Sequence, residues 1–306
     1  MSNNIVCLVE GERREPEIIR NLQNTFFRNS NIRIFTLPAK MNIHMLYEKL
    51  KKDEFETDFF ELLKEALPEN QEIQAIRRDS ISELYLVFDF DLHHQNDPEQ
   101  RKSLMDHLSE MFRIFDNETQ NGKLYISYPM AQALADQSEN GCDGLDHCLI
   151  SVDHFKTYKK RTSLGNNHFS TYGFNDWKKT ISVFLMRISC ICLRKKMISV
   201  EEYKNSVSPD VIFRKESAIC SSTNKVVILS AFPEFLLDYF KQKFLVAKIL
   251  DQNNRDLITD FCDHDDLYSV LKEIHYDAWN INVPVNDVDS GNYKRSPFQT
   301  NGFTRR

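Results

Sequence analysis

The chain has 306 residues, 41% of them hydrophobic and 27% charged, with a formal net charge of −6. That length can bury a full core, in one large domain or two modest ones, and the balance is that of an ordinary globular protein. The negative charge excludes a generally basic protein that coats nucleic acid; it does not exclude an enzyme acting on one, because acidic clusters lower the net charge while local Lys/Arg patches still hold phosphates.

In chain order, residues 5–9 (Ile-Val-Cys-Leu-Val) form a continuous apolar run ending at Glu10-Gly11, as expected for a strand buried on both faces of a parallel sheet. Pro16 suits the first turn of the next helix, whose apolar stripe is Ile18, Ile19 and Leu22. A strand is expected over 32–37, then helices over 46–52 and 55–66 that bury Leu46, Leu50, Phe59, Leu62 and Leu63. Residues 84–88 (Leu-Tyr-Leu-Val-Phe) read as a second doubly buried strand and run straight into Asp89-Phe90-Asp91. A helix over 98–115 carries Leu104, Leu108, Met111 and Phe112 on one face. A turn cluster follows over 116–122, a strand over 123–127, and Pro129 opens a short helix. Strands alternating with helices predict an α/β fold with a mostly parallel sheet covered on both faces. The right-handed crossover rule then puts the ends of the first strand and of 84–88 on one edge of that sheet.

After residue 137 the character changes. Residues 138–175 are polar and loop-rich, and carry Lys156, Lys159, Lys160 and Arg161. Helical patterns follow over 175–196, 201–206, 209–220 and 233–250, with 226–229 a short strand or the start of a helical segment. The most apolar stretch, 180–193, is interrupted by Arg187 and too short for a membrane span, so it reads as a buried helix. The stripe of Leu236, Leu237, Phe240, Phe244 and Leu245 suits core or a subunit interface such as that of a homodimer. Residues from 282 onward, rich in Asn, Asp, Ser and Gly, read as a loose tail. The expected division is 1–137 as the α/β unit, 138–260 as a helical region that binds substrate or partner, and 261–306 as an extension. The seven cysteines, odd in number, without framework spacing and with no secretory signal ahead of them, point to a reducing cytoplasm. Cys142, His147, Cys148 and His154 match no zinc-finger or ribbon spacing, and Asp143 and Asp146 compete for the same loop.

The chemistry-bearing residues lie at the expected strand ends. Asp89 and Asp91 are two apart, so on an extended backbone they point the same way. Two converging carboxylates repel unless a cation lies between them, and an all-oxygen donor set suits Mg²⁺ or Mn²⁺. Glu10 arrives at the same edge, where open α/β sheets bind ligands. Such a trio can clamp a phosphate and activate water, and Glu10 could alternatively serve as general acid or base. His93 and His94 follow Asp91 as solvent-facing loop residues or a proton shuttle. The basic run 156–161, beside Tyr158, His168, Phe169 and Tyr172, offers charge and stacking for a nucleic-acid backbone, or is plain solvated surface.

Residues 9–16, Val-Glu-Gly-Glu-Arg-Arg-Glu-Pro, followed far downstream by Phe88-Asp89-Phe90-Asp91, resemble the TOPRIM signature of one glutamate and then Asp-x-Asp. Among TOPRIM proteins the pattern looks closest to the RloB-like and OLD-like nucleases of bacterial anti-phage defence, and to the TOPRIM subunit of the PARIS system. The resemblance covers residues 3–137. It implies a Rossmann-like TOPRIM domain, an Mg²⁺ or Mn²⁺ centre at Glu10, Asp89 and Asp91 with Glu15 in support, and endonucleolytic cleavage of DNA or structured RNA such as tRNA. It also implies an antiviral effector, active in abortive infection, that works with an ATPase partner. Residues 125–132 resemble a strand-to-helix step that in such proteins carries a further glutamate, but here that position is Gln132, which can orient a water or phosphate without supplying the charge. That departure counts against a second, fully acidic metal site, leaving either one ion or a site completed by Glu15 or by substrate phosphate. It also favours the rival reading of a non-catalytic TOPRIM subunit docked to an ATPase. A primase-like phosphotransfer enzyme and a tyrosine nucleophile are further alternatives. The chain has no Walker A loop, so ATP hydrolysis would belong to the partner.

Overall fold

A computed structural model describes residues 4–27, 32–52, 58–66, 68, 71–90, 92, 97–139, 148–164, 169–193, 203 and 205–241. The chain opens with β1 (Asn4–Val9), α1 (Arg14–Phe26), β2 (Arg33–Pro38), α2 (Ile43–Lys52), α3 (Phe59–Ala66) and α4 (Gln71–Ala75). A short 3₁₀ turn leads into β3 (Ile81–Asp89), α5 (Pro98–Ile114), β4 (Asp116–Asn117), β5 (Gly122–Ser127) and α6 (Ala133–Glu139). The second half comprises β6 (Leu149–Ser151), α7 (Phe155–Leu164), α8 (Phe174–Ile188), α9 (Pro209–Thr223), β7 (Lys225–Val227) and α10 (Ala231–Lys241).

The main sheet has the order β2-β1-β3-β5-β4, with β1, β2, β3 and β5 parallel and β4 antiparallel to β5. This is the expected α/β architecture with a mostly parallel sheet. Ile5 to Val9 and Leu84 to Phe88 are almost wholly buried, which explains why both segments are apolar throughout rather than alternating. The chain crosses one way from β1 to β2 and the opposite way from β2 to β3 and from β3 to β5. Right-handed crossovers therefore put α1 on one face and α2 and α5 on the other. Ring contacts agree: Phe27 after α1 and Tyr85 of β3 both meet Tyr239 of α10, while Phe112 of α5 stacks on Phe213 of α9.

The second half is packed onto this sheet. The two-stranded antiparallel sheet of β6 and β7 ends at Val227, and Leu229 beyond it makes an isolated bridge to Tyr128 just after β5. The 226–229 segment is therefore the end of β7 followed by a single bridge residue, not the start of a helix. Ala231 to Tyr239 is buried along its length, so the expected Phe/Leu-rich stripe is core as far as it is described. One continuous apolar cluster joins the sheet, α1, α5 and the helices after residue 148. The polar 150s, expected as loop, instead contain the helix α7. The helix expected to open at Pro129 begins only at Ala133, and the Tyr128–Pro129 bond is cis. The tail from 242 and the stretch 140–147 lie outside the described residues, and 201–206 does so in part. Among the described residues no helix is long and apolar enough to cross a membrane.

Gly122 at the start of β5 has φ +114°, and a Cβ there would lie 2.8 Å from Leu86 Cδ1, so this position takes only glycine.

The α2–α5 contact contains two histidines. The His44 and His107 rings are 6.3 Å apart, and His107 stacks on Tyr47 at 4.1 Å. Tyr47 Oη donates to Glu110 and accepts from Lys51, and Glu48 faces His107. Neither ring nitrogen of His44 has a hydrogen-bond partner. Burial, helped by His107, pushes His44 down to about 4 from the usual 6.5. The folded state thus disfavours the protonated ring: stability is intact above pH 6.5 and falls as the pH drops toward 4, by about 3 kcal/mol at most. We expect His44→Phe to flatten the decline of Tm between those two pH values relative to wild type. The same slope in the variant as in wild type would assign the acid sensitivity to other groups.

Candidate metal centre

β1 and β3 are neighbours whose following connections lead to opposite sides of the sheet. Their carboxyl ends therefore flank the topological switch point, where open α/β sheets leave a crevice. The register pairs Val9 with Val87, so Glu10 leaves β1 beside the last residues of β3. There the backbone N–H of Asp89 donates to Glu10 Oε2 at 3.2 Å. Asp89 in turn pairs with Ser127 at the end of β5, and its Oδ1 accepts from the backbone N–H of Ala131 at 2.7 Å. Three segments thus converge: the β1 end, the β3 end and the loop after β5. The fold brings together Glu10 and Asp89, as expected from the sequence.

Glu15 is placed differently from a solvent-facing ligand. It is buried on α1, and its carboxylate accepts from the backbone N–H groups of Glu15 and Gly11. Burial raises its pKa; those two hydrogen bonds, then Lys159 and Arg14, act in the opposite direction. A Cβ on Gly11 would lie 2.7 Å from Glu15 Oε2, so the glycine lets the carboxylate close over the loop that carries Glu10. Glu15 therefore fastens this loop to the start of α1. Lys40 and Glu12 link the loops after β2 and β1 at 3.1 Å, an exposed pair that contributes little.

Gln132, where a further glutamate was looked for, is buried at the head of α6 with no hydrogen-bond partner on its Oε1. Lys156, Lys159 and Lys160 are exposed on α7, and Arg161 belongs to the same helix. Asp91, His93 and His94 lie outside the described residues, as do Cys142, Asp143, Asp146 and His147; of the remaining two, Cys148 is buried and His154 exposed. Among the described residues no three His, Cys, Asp or Glu side chains form a group able to hold a metal. The contribution that sequence reasoning missed is the Ala131 N–H that fixes Asp89. A backbone donor has no residue-type signature, and only the preceding Pro129 hints at a tight turn there.

No family model, curated protein or solved structure matches the chain.

Proposed function

We propose that the chain is a Mg²⁺- or Mn²⁺-dependent nuclease of TOPRIM type that hydrolyses phosphodiester bonds in DNA or structured RNA. The observation that carries this reading is the meeting of Glu10 and Asp89 at the switch-point crevice, the Asp89 N–H resting on the Glu10 carboxylate. The donors fit a hard divalent ion: both are carboxylates, and the acceptor Oε1 of Gln132 is buried nearby in sequence to the Asp89 clamp without a partner of its own. Glu10, Asp89 and Asp91 would hold the ion. When bound, it would supply charge stabilisation for a phosphoryl oxygen and a more acidic water.

The chain's own groups have separable tasks in this proposal. Ala131 holds one Asp89 oxygen and so fixes the carboxylate on the loop after β5. Glu15 acts on the Glu10 loop through Gly11 and is a positioning residue. Gln132 adds no charge, so the reading is one resident ion rather than two. Use as an antiviral effector with an ATPase partner follows from the motif resemblance.

The test is incubation of the purified protein with Mg²⁺ or Mn²⁺ and end-labelled DNA and tRNA, alone and with an ATPase encoded beside it. Fragment release is expected, and its loss in Glu10→Ala and Asp89→Ala. If both variants keep full cellular protection or toxicity while binding the ATPase normally, the non-catalytic interaction subunit takes its place.

A further inference from the structure

The nuclease reading leaves α7 unexplained. Its sequence, Phe-Lys-Thr-Tyr-Lys-Lys-Arg-Thr-Ser-Leu, contains four cationic residues and no acidic one, in a chain whose net charge is −6. Phe155, Tyr158 and Thr162 are buried and dock one face of the helix. Lys156, Lys159 and Lys160 are exposed on the other, at the three- and four-residue spacing that stacks side chains along a helix about 5–6 Å apart. Among the described residues neither Lys156 nor Lys160 has an ion-pair partner.

The position of this face matters as much as its charge. Lys159 is close enough to act electrostatically on the Glu15 carboxyl, which closes the Glu10 loop. The segment that follows α7 is strapped to α1: Ser170 N–H donates to Glu17 at 3.0 Å, and Asn21 Nδ2 donates to the Ser170 and Tyr172 carbonyls. Trp177 Nε1 donates to Asn21 Oδ1 at 2.7 Å, and the Arg14 guanidinium lies 5.8 Å from the Phe169 ring centre. These ties hold the stretch beyond α7 against α1, whose first turn carries the Glu15 carboxyl on which Lys159 acts.

We propose that the exposed face of α7 is a rail for successive phosphates of a nucleic-acid strand and leads that strand into the Glu10–Asp89 crevice. The proposal rests on the nuclease reading and names the surface that reading lacks. Charge complementarity selects a polyanion. An anionic membrane is the poorer fit, because surface-bound helices insert apolar side chains, and the one large hydrophobic exposed among the described residues, Met45, lies on α2.

The experiment compares the full chain with the Lys156→Gln/Lys159→Gln/Lys160→Gln variant, and with the corresponding triple Arg variant. Fluorescence anisotropy reads binding to a labelled single-stranded RNA and a duplex DNA in EDTA, over a range of salt. Each lost phosphate contact lowers the slope of log K against log salt by about 0.7–0.9, so the Gln variant should lose roughly 2–3 units of slope at unchanged Tm. The Arg variant should retain the slope. Equal slopes for wild type and the Gln variant overturn the rail, as does wild-type binding to phosphatidylserine vesicles without binding to either nucleic acid. The nuclease reading fails separately: a slope that drops as expected, with no Mg²⁺-dependent cleavage in any arm, leaves a nucleic-acid rail on a non-cutting protein.

Discussion

Asp89→Asn is expected to abolish cleavage while leaving the fold in place. The substitution keeps an oxygen where Oδ1 accepts from the Ala131 N–H, and keeps the backbone N–H that donates to Glu10. What it removes is the charge beside Glu10. A divalent ion contributes several kcal/mol of transition-state stabilisation. At about 1.4 kcal/mol per tenfold, loss of its ligand charge should cost roughly a thousandfold or more in rate. Asp89→Ala removes the Ala131 anchor as well, and should add about 1–2 kcal/mol of destabilisation that the Asn variant does not show. The pair of variants separates chemistry from folding. Single-turnover cleavage by Asp89→Asn at the wild-type rate, with Mg²⁺ in excess, would remove the metal-centre proposal; a matching loss of Tm in both variants would show that the effect is structural.

The sheet edge was legible because its two central strands announce themselves. Runs such as 5–9 and 84–88 have no polar face, and a strand with no polar face must be covered on both sides. Once they are parallel neighbours, handedness alone brings Glu10 and Asp89 to one crevice. The inward closure of Glu15 was not legible. It depends on how the Gly11 loop turns, and a carboxylate in a first helical turn normally reads as a solvent-facing partner of the helix dipole. α7 was hidden for another reason. Its buried face consists of Phe155, Tyr158 and Thr162 amid lysines, too sparse a stripe to stand out from a polar loop, so its helical state comes from tertiary docking more than from pattern. β4, at two residues, is below any sequence signal. The interruption of 180–193 by Arg187 was visible, but its cause was not, because the partner lies far away in sequence.

That partner is Asp136, and Arg187→Met should be among the most destabilising single substitutions in the protein. Arg187 on α8 is 1% exposed and Asp136 on α6 is 3% exposed. Nη2 donates to Asp136 Oδ1 at 3.1 Å, and Nη1 donates to the Ile228 carbonyl at 2.5 Å. The guanidinium therefore joins α6, which follows the Ala131 clamp directly, to the segment after β7 whose Leu229 bridges Tyr128. Methionine fills comparable space but takes the cationic donor away from a buried carboxylate and from a carbonyl. Removing one member of a buried pair costs about 3–5 kcal/mol, a large part of the roughly 5–15 kcal/mol that holds a typical domain. Replacing both members by apolar groups relieves the uncompensated charge, so Arg187→Met/Asp136→Leu should recover most of the loss. Urea denaturation measures both, with an unchanged m value as the sign that only stability moved. A loss under about 1 kcal/mol in the single variant, or a double variant no better than the single, would mean that the pair does not carry the junction. Because α6 begins at the turn that holds Asp89, the single variant should also cleave less than its remaining folded fraction accounts for, whereas the double variant should cleave in proportion to it.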